Sequence, residues 1–167
     1  MRLVGLDLRS ITMSFRVTGL SPDLFKPLFG LGEVDLARQG VIRFRATETS
    51  GMPDRIELRD ARPGEDVLLL NFVHQPADTP YRASHAIFVL EGESHRYEAV
   101  DAIPPALRAR MLSLRGFGQD NMLVDAMLTD GGEAEIAIER LMALPSVAYI
   151  QAHYATFGCY AARIDRN

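Results

Sequence analysis

Two apolar runs of strand length, Val67 to Val73 and Ala86 to Leu90, constrain this chain more than anything else in it. The first is apolar on both faces apart from Asn71, the pattern of a strand interior to a sheet. A polar connection holding His74, Gln75, Tyr81, Arg82, Ser84 and His85 joins the two runs, and half of the chain's histidines lie in it. Pro76 and Pro80 stiffen that connection. Whatever site the chain carries is therefore expected at the end of the central strand.

The rest of the chain supplies short strands and few helices. Met13 to Gly19 reads as a first strand, so residues 1–12 are expected to be an N-terminal extension or an extra strand, and residues 13–167 a single globular domain. Ser21 before Pro22 marks a helix start that Gly30 ends, and Glu33 to Arg38 reads as a second helical turn. Val41 to Thr47 alternates like a half-buried strand, and Arg55 to Leu58 reads as another. After the turn at Glu91 to Glu93, His95 to Val100 is expected to return as a hairpin partner. Pro104 and Pro105 open a brief helix, and Met111 to Phe117 and Met122 to Leu128 are strand candidates.

The clearest helix follows Asp130. Asp130 and Glu133 stand at capping-box spacing, and Ala134, Ala137, Ile138, Leu141 and Met142 form a stripe at helical period. Val147 to Tyr154 and Cys159 to Asp165 read as a C-terminal β-hairpin. With four residues in its turn, His153 faces Tyr160; with five, His153 and Cys159 pair directly. Strands and helices do not alternate, so the expected class is α+β, with a mainly antiparallel sheet and two or three helices.

At 167 residues, 47% of them hydrophobic, the chain buries a core without disulfides. Its net charge of −4 and lack of a basic block argue against nucleic-acid and membrane-surface partners. No apolar run approaches the roughly 20 residues that span a bilayer. Cys159 is the only cysteine, which excludes an intrachain disulfide and fits a reducing, cytoplasmic setting. No phosphate-cradling glycine loop, spaced zinc pair or glycine-flanked nucleophilic serine occurs, so no cofactor is assigned.

What remains is a spatial expectation. His74, His85, His153 and Cys159 are the candidate catalytic groups, able to move protons or, for the thiol, to act as nucleophile. Asn71, Gln75, Tyr81, Arg82, Ser84 and Arg115 are the candidate ligand-binding groups, with Arg82 gripping a carboxylate or phosphate. The competing readings are a half-buried structural histidine for His85, a core role for Cys159 and a salt bridge for Arg82. A zinc site on His74, His85 and His153, joined by Asp54 or Cys159, is chemically reasonable, but no spaced ligand pair assigns it.

The run Leu68 to Val89 (LLLNFVHQPADTPYRASHAIFV), the segment Met111 to Phe117 (MLSLRGF) and the ending Ala152 to Arg163 (AHYATFGCYAAR) resemble the bacterial family catalogued as domain of unknown function 1203, over Met13 to Arg166. The resemblance implies a bacterial, single-domain protein with no assigned activity. Its pattern falls on Asn71, His74, Gln75, Pro76, Tyr81, Arg82, Ser84, His85, Ser113, Arg115, His153, Gly158, Cys159 and Tyr160. It also implies that a cysteine commonly stands where this chain has Asp54, after Met52 and Pro53, so that either a two-cysteine redox or metal role is not general to the family or Asp54 substitutes here as an oxygen ligand. Together these readings lead to a small-molecule site for an anionic ligand, open to enzymatic use, at one end of the sheet. The alternatives are a non-catalytic binding or interaction domain with a structural polar network and, more distantly, a transferase acting on a nucleotide.

Overall fold

The apolar run at Val67 becomes β3 (Asp66–Gln75), the middle strand of a three-stranded antiparallel sheet between β2 (Ile42–Arg45) and β4 (Ala83–Leu90). The computed structural model describes residues 13–167, and the expectation for residues 1–12 lies outside them. Register pairs Leu68 with Val89, Leu70 with Ile87 and Phe72 with His85, which puts all six on one face. That face meets Phe25, Leu36, Val41 and Ile56, and buries Leu68, Ile87 and Val89 completely. Each such side chain contributes about 1.5–3 kcal/mol by leaving water.

A second antiparallel sheet has six strands in the order β5-β1-β9-β8-β6-β7. These are β1 (Phe15–Thr18), β5 (Glu98–Val100), β6 (Met111–Phe117), β7 (Leu123–Asp130), β8 (Tyr149–Tyr154) and β9 (Tyr160–Arg166). Among the described residues three α-helices join these sheets: α1 (Glu33–Arg38), α2 (Pro105–Arg108) and α3 (Ala134–Met142). One face of the large sheet packs on α3, whose expected stripe of Ala134, Ala137, Ile138, Leu141 and Met142 is buried against Leu112, Leu114, Ile150, Ala152 and Ile164. The other face carries Tyr149, Gln151 and His153 of β8 toward the small sheet, because side chains alternate along a strand. The α+β class, the antiparallel sheets and the C-terminal hairpin are as the sequence led one to expect. Among the described residues, no helix is long and apolar enough to cross a membrane.

Three local expectations are corrected. The segment after Ser21 is not one helix but two 3-10 turns, Pro22–Leu24 and Lys26–Leu28, because Pro27 has no N–H to continue a helical ladder. Arg55 to Leu58 is not a strand. The buried Asp54 carboxylate accepts the N–H groups of Ile56 and Glu57, which curls the backbone, and Leu58 sits at φ 55°. Finally, β5 does not return on β4; it pairs with β1 in the other sheet, where Tyr97 N donates to the Ile56 carbonyl.

Two bulges shape the ends of the hairpins where the sheets meet. Between β3 and β4 the register jumps from Val73↔Ser84 to Gln75↔Ala83, leaving His74 as the extra residue, and both His74 and Gln75 are buried in succession. Strict alternation would have sent one of them to solvent. Between β8 and β9 the register jumps from Ala152↔Ala162 to His153↔Tyr160. The turn is thus the four-residue alternative, and Gly158 at φ 75° closes it in a conformation that favours glycine.

Candidate functional site

The end of the β3–β4 hairpin lies against β8 and β9, on the face of the large sheet away from α3, and three imidazoles meet there. One ring nitrogen each from His74, His85 and His153 lies within 4.8 Å of the other two. His74 stacks on Tyr160 with centroids 5.2 Å apart and on His85 at 5.6 Å; His153 meets His74 edge-on at 5.0 Å. His153 is fully buried, His74 nearly so, and His85 only partly, which leaves the cluster in contact with solvent on the His85 side.

Gln151 sets the orientation of two of these rings. Its Nε2 donates to the His74 carbonyl at 3.0 Å, so its Oε1 is turned to accept from His74 Nδ1 at 2.8 Å. His74 Nε2 then has no partner, although it is buried. A buried polar atom without a partner costs about 1–3 kcal/mol unless something binds it. His153 Nδ1 lies 3.0 Å from the Gly158 carbonyl and its Nε2 lies 3.3 Å from Gln151 Oε1. A neutral ring carries one N–H, so only one of these oxygens receives a proton; the shorter contact assigns it to Nδ1 and leaves Nε2 as a bare lone pair.

Both rings are neutral at pH 7. Burial pulls His153 down to about 3, with Arg115 and the neighbouring histidines adding to the effect. Burial also lowers His74, partly opposed by its hydrogen bond to Gln151. Arg115 lies on β6, where register places it opposite Gln151, with Ser113 opposite His153. Its Nε donates to Ser113 Oγ at 3.4 Å, and among the described residues it has no carboxylate partner. Gln75 reaches Tyr149 Oη at 2.8 Å, and that hydroxyl donates to Asn121 Oδ1 at 2.8 Å, which ties the hairpin end to the large sheet.

Not every expected residue belongs to this assembly. Arg82 is exposed and its Nη1 donates to the Pro76 carbonyl of its own loop, so the cation facing the imidazoles is Arg115. Asn71 and Ser84 lie on the opposite face of the small sheet from Phe72 and His85, and both are exposed. Tyr81 packs edge-on against Phe117, which stacks on Tyr149, so it borders the network without meeting the imidazoles. Cys159 is separate from the cluster and lines a different cleft, behind the small sheet. Asp54 is not a fourth ligand; its carboxylate is spent on the N–H groups of Ile56, Glu57 and Leu90. Gln151 was missed. Its signal was the alternation Tyr149, Gln151, His153, which puts a polar residue beside His153 on one face of β8.

An α+β domain of two antiparallel sheets with a shared imidazole cluster defines the class of this protein. It belongs to the family described as Protein of unknown function (DUF1203), whose model matches residues 51–166. That match takes in β3, β4, β6 and β8, hence every residue of the cluster, and begins later than the Met13 expected from the sequence. No curated protein and no solved structure matches the chain.

Proposed function

We propose that His74, His85 and His153 form a mononuclear centre for a divalent transition metal, with an open coordination position that takes a small anionic ligand beside Arg115. The observation that carries the reading is the buried, unpartnered Nε2 of His74, a ring grouped with two other imidazoles. Metal-binding histidines use one nitrogen on the metal and donate the other N–H to an oxygen. His74 and His153 have that arrangement through Gln151 and Gly158. Neutral imidazoles suit zinc and its neighbours, and three protein ligands with a free fourth position characterise reactive rather than structural zinc sites.

Geometry permits it. Tetrahedral zinc with bonds near 2.05 Å needs ligand nitrogens about 3.4 Å apart. The nitrogens lie within 4.8 Å of one another, so the rings close by at most about 1.4 Å, to which partly exposed His85 contributes by rotation. Arg115 would attract an anion to the open position, which a metal-bound water, made acidic by the cation, would otherwise fill.

The test is titration of the full-length protein with Zn2+ and Co2+ against a chromophoric chelator. One equivalent should bind, Co2+ should give an intense tetrahedral visible spectrum, and His85→Ala should abolish both. A folded protein that takes up no stoichiometric Zn2+, Co2+, Ni2+ or Cu2+ would leave the imidazoles as a structural polar network and end the metal reading.

A further inference from the structure

Behind the small sheet, on the face away from the imidazoles, a cleft of about 490 Å3 lies between β3 and β4 on one side and the end of β8 on the other. Its size is within the range of small-molecule pockets. Leu69, Phe88, Met111 and Phe157 give it apolar walls. Phe157 is 83% exposed at its rim, a large apolar side chain with little in this fold to cover it.

Three polar groups in the same cleft are inadequately satisfied or unusually placed. Arg55 is 2% exposed and lines the cleft, yet its guanidinium bonds only to backbone carbonyls, from Nε to Tyr160 at 2.8 Å and from Nη1 to Pro53. Among the described residues no carboxylate pairs with it, and the nearby Asp54 is occupied by backbone N–H groups. A buried cation without a counter-ion is costly, and burial accordingly weakens its hold on its proton. Tyr154 is 5% exposed, lines the cleft, and its hydroxyl has no hydrogen-bond partner. Arg110 completes the group. The guanidinium carbons of Arg55 and Arg110 lie 4.9 and 5.3 Å from the Tyr154 ring centre, and Arg110 is paired with Asp60 at 2.7 Å.

We infer that this cleft is a second binding site, for a small carboxylate with an apolar body, its carboxylate held by Arg55 and Arg110 at the Tyr154 hydroxyl and its body on Leu69, Phe88 and Met111. The carboxylate supplies the counter-charge that Arg55 lacks and an acceptor for the orphan hydroxyl. A planar guanidinium grips a carboxylate in two-pronged fashion; Arg55 supplies the uncompensated charge, and Arg110, shared with Asp60, adds donors beside it. The site stands apart from the imidazole cluster and does not depend on a metal.

The experiment uses octanoate as the probe, with octanol as its uncharged counterpart, on the full-length protein without added metal. Amide chemical shifts followed by NMR should saturate and centre on residues 53–55, 109–111 and 154–159. Octanol should bind at least about tenfold more weakly, since it lacks the charge-assisted hydrogen bonds. Iodoacetamide alkylation of Cys159, the single thiol and a cleft-lining one, should slow as octanoate saturates. Arg110→Ala should weaken octanoate about tenfold, and Ala86→Trp, on an exposed strand position at the cleft wall, should abolish binding with the fold intact. Shifts centred on His74, His85 and His153, equal binding of octanol, or octanoate affinity unchanged in Ala86→Trp would each overturn the assignment, as would no saturable binding.

Discussion

Replacing Gln151 by leucine removes one side chain and tests how the imidazoles are held. The amide accepts from His74 Nδ1 at 2.8 Å, donates to the His74 carbonyl at 3.0 Å and approaches His153 Nε2 at 3.3 Å. Gln151 is 4% exposed, so the abandoned groups find no water. Leaving a buried N–H and a buried carbonyl unpaired costs roughly 1–3 kcal/mol each, and the added apolar volume returns part of it, so metal-free stability should fall by about 2–4 kcal/mol. Loss of a group that orients metal ligands lowers affinity about 10–100-fold, or roughly 1.4–2.7 kcal/mol. Urea unfolding of the metal-free variant measures the first quantity, and Zn2+ competition against a chelator the second. Gln151→Glu, which keeps an acceptor but loses the donor, should fall between leucine and the native residue. Native Zn2+ affinity in folded Gln151→Leu would refute the orienting role, and unchanged stability would refute the accounting of its hydrogen bonds.

Two further outcomes are expected. Because His153 titrates at about 3 in the folded chain and at the ordinary 6.5 when unfolded, the unfolded state binds more protons between those values; its contribution is complete above pH 6.5 and is lost as pH falls toward 3. Metal-free stability measured in urea should therefore drop by about 2 kcal/mol between pH 7 and pH 5 from this group, and His153→Gln should flatten that dependence; an unaltered slope would show that His153 is not the group responsible. With the Co2+-loaded protein, acetate binding read from the visible spectrum should weaken about tenfold in Arg115→Ala and change less than about twofold in Arg82→Ala, whose side chain is committed to its own loop; the reverse ranking would restore Arg82 as the anion group.

Periodicity made some parts of this fold readable and left others hidden. The α3 stripe was legible because all five apolar positions fall at helical spacing and all five are buried. The β8–β9 hairpin was legible too, although choosing His153↔Tyr160 over His153↔Cys159 needed the turn geometry at Gly158. Hidden features depend on tertiary partners. Whether β5 joins β4 or β1 is a choice between the edges of two sheets, which no window of sequence contains. Asp54 looked like a metal ligand by residue type, yet its carboxylate serves three backbone N–H groups of a turn. For the site, His74, His85 and His153 were legible as a set, because they stand at strand ends near turns. The choice between Arg82 and Arg115 was not, since it turns on which face of which strand each occupies. The bulge at His74 carried no signal, as an extra residue in a strand is set by the partner it has to match.

The imidazoles belong to different sheets: His74 and His85 come from the small sheet and His153 from the large one. A cation shared among them would be a rivet through the seam, in a chain whose single cysteine can supply no covalent one. Its loading would set how readily the two layers part, so metal supply would act as a clamp on the breathing of the whole domain, slowing amide exchange along β3 and β8 together while leaving the α3 side of the large sheet unchanged.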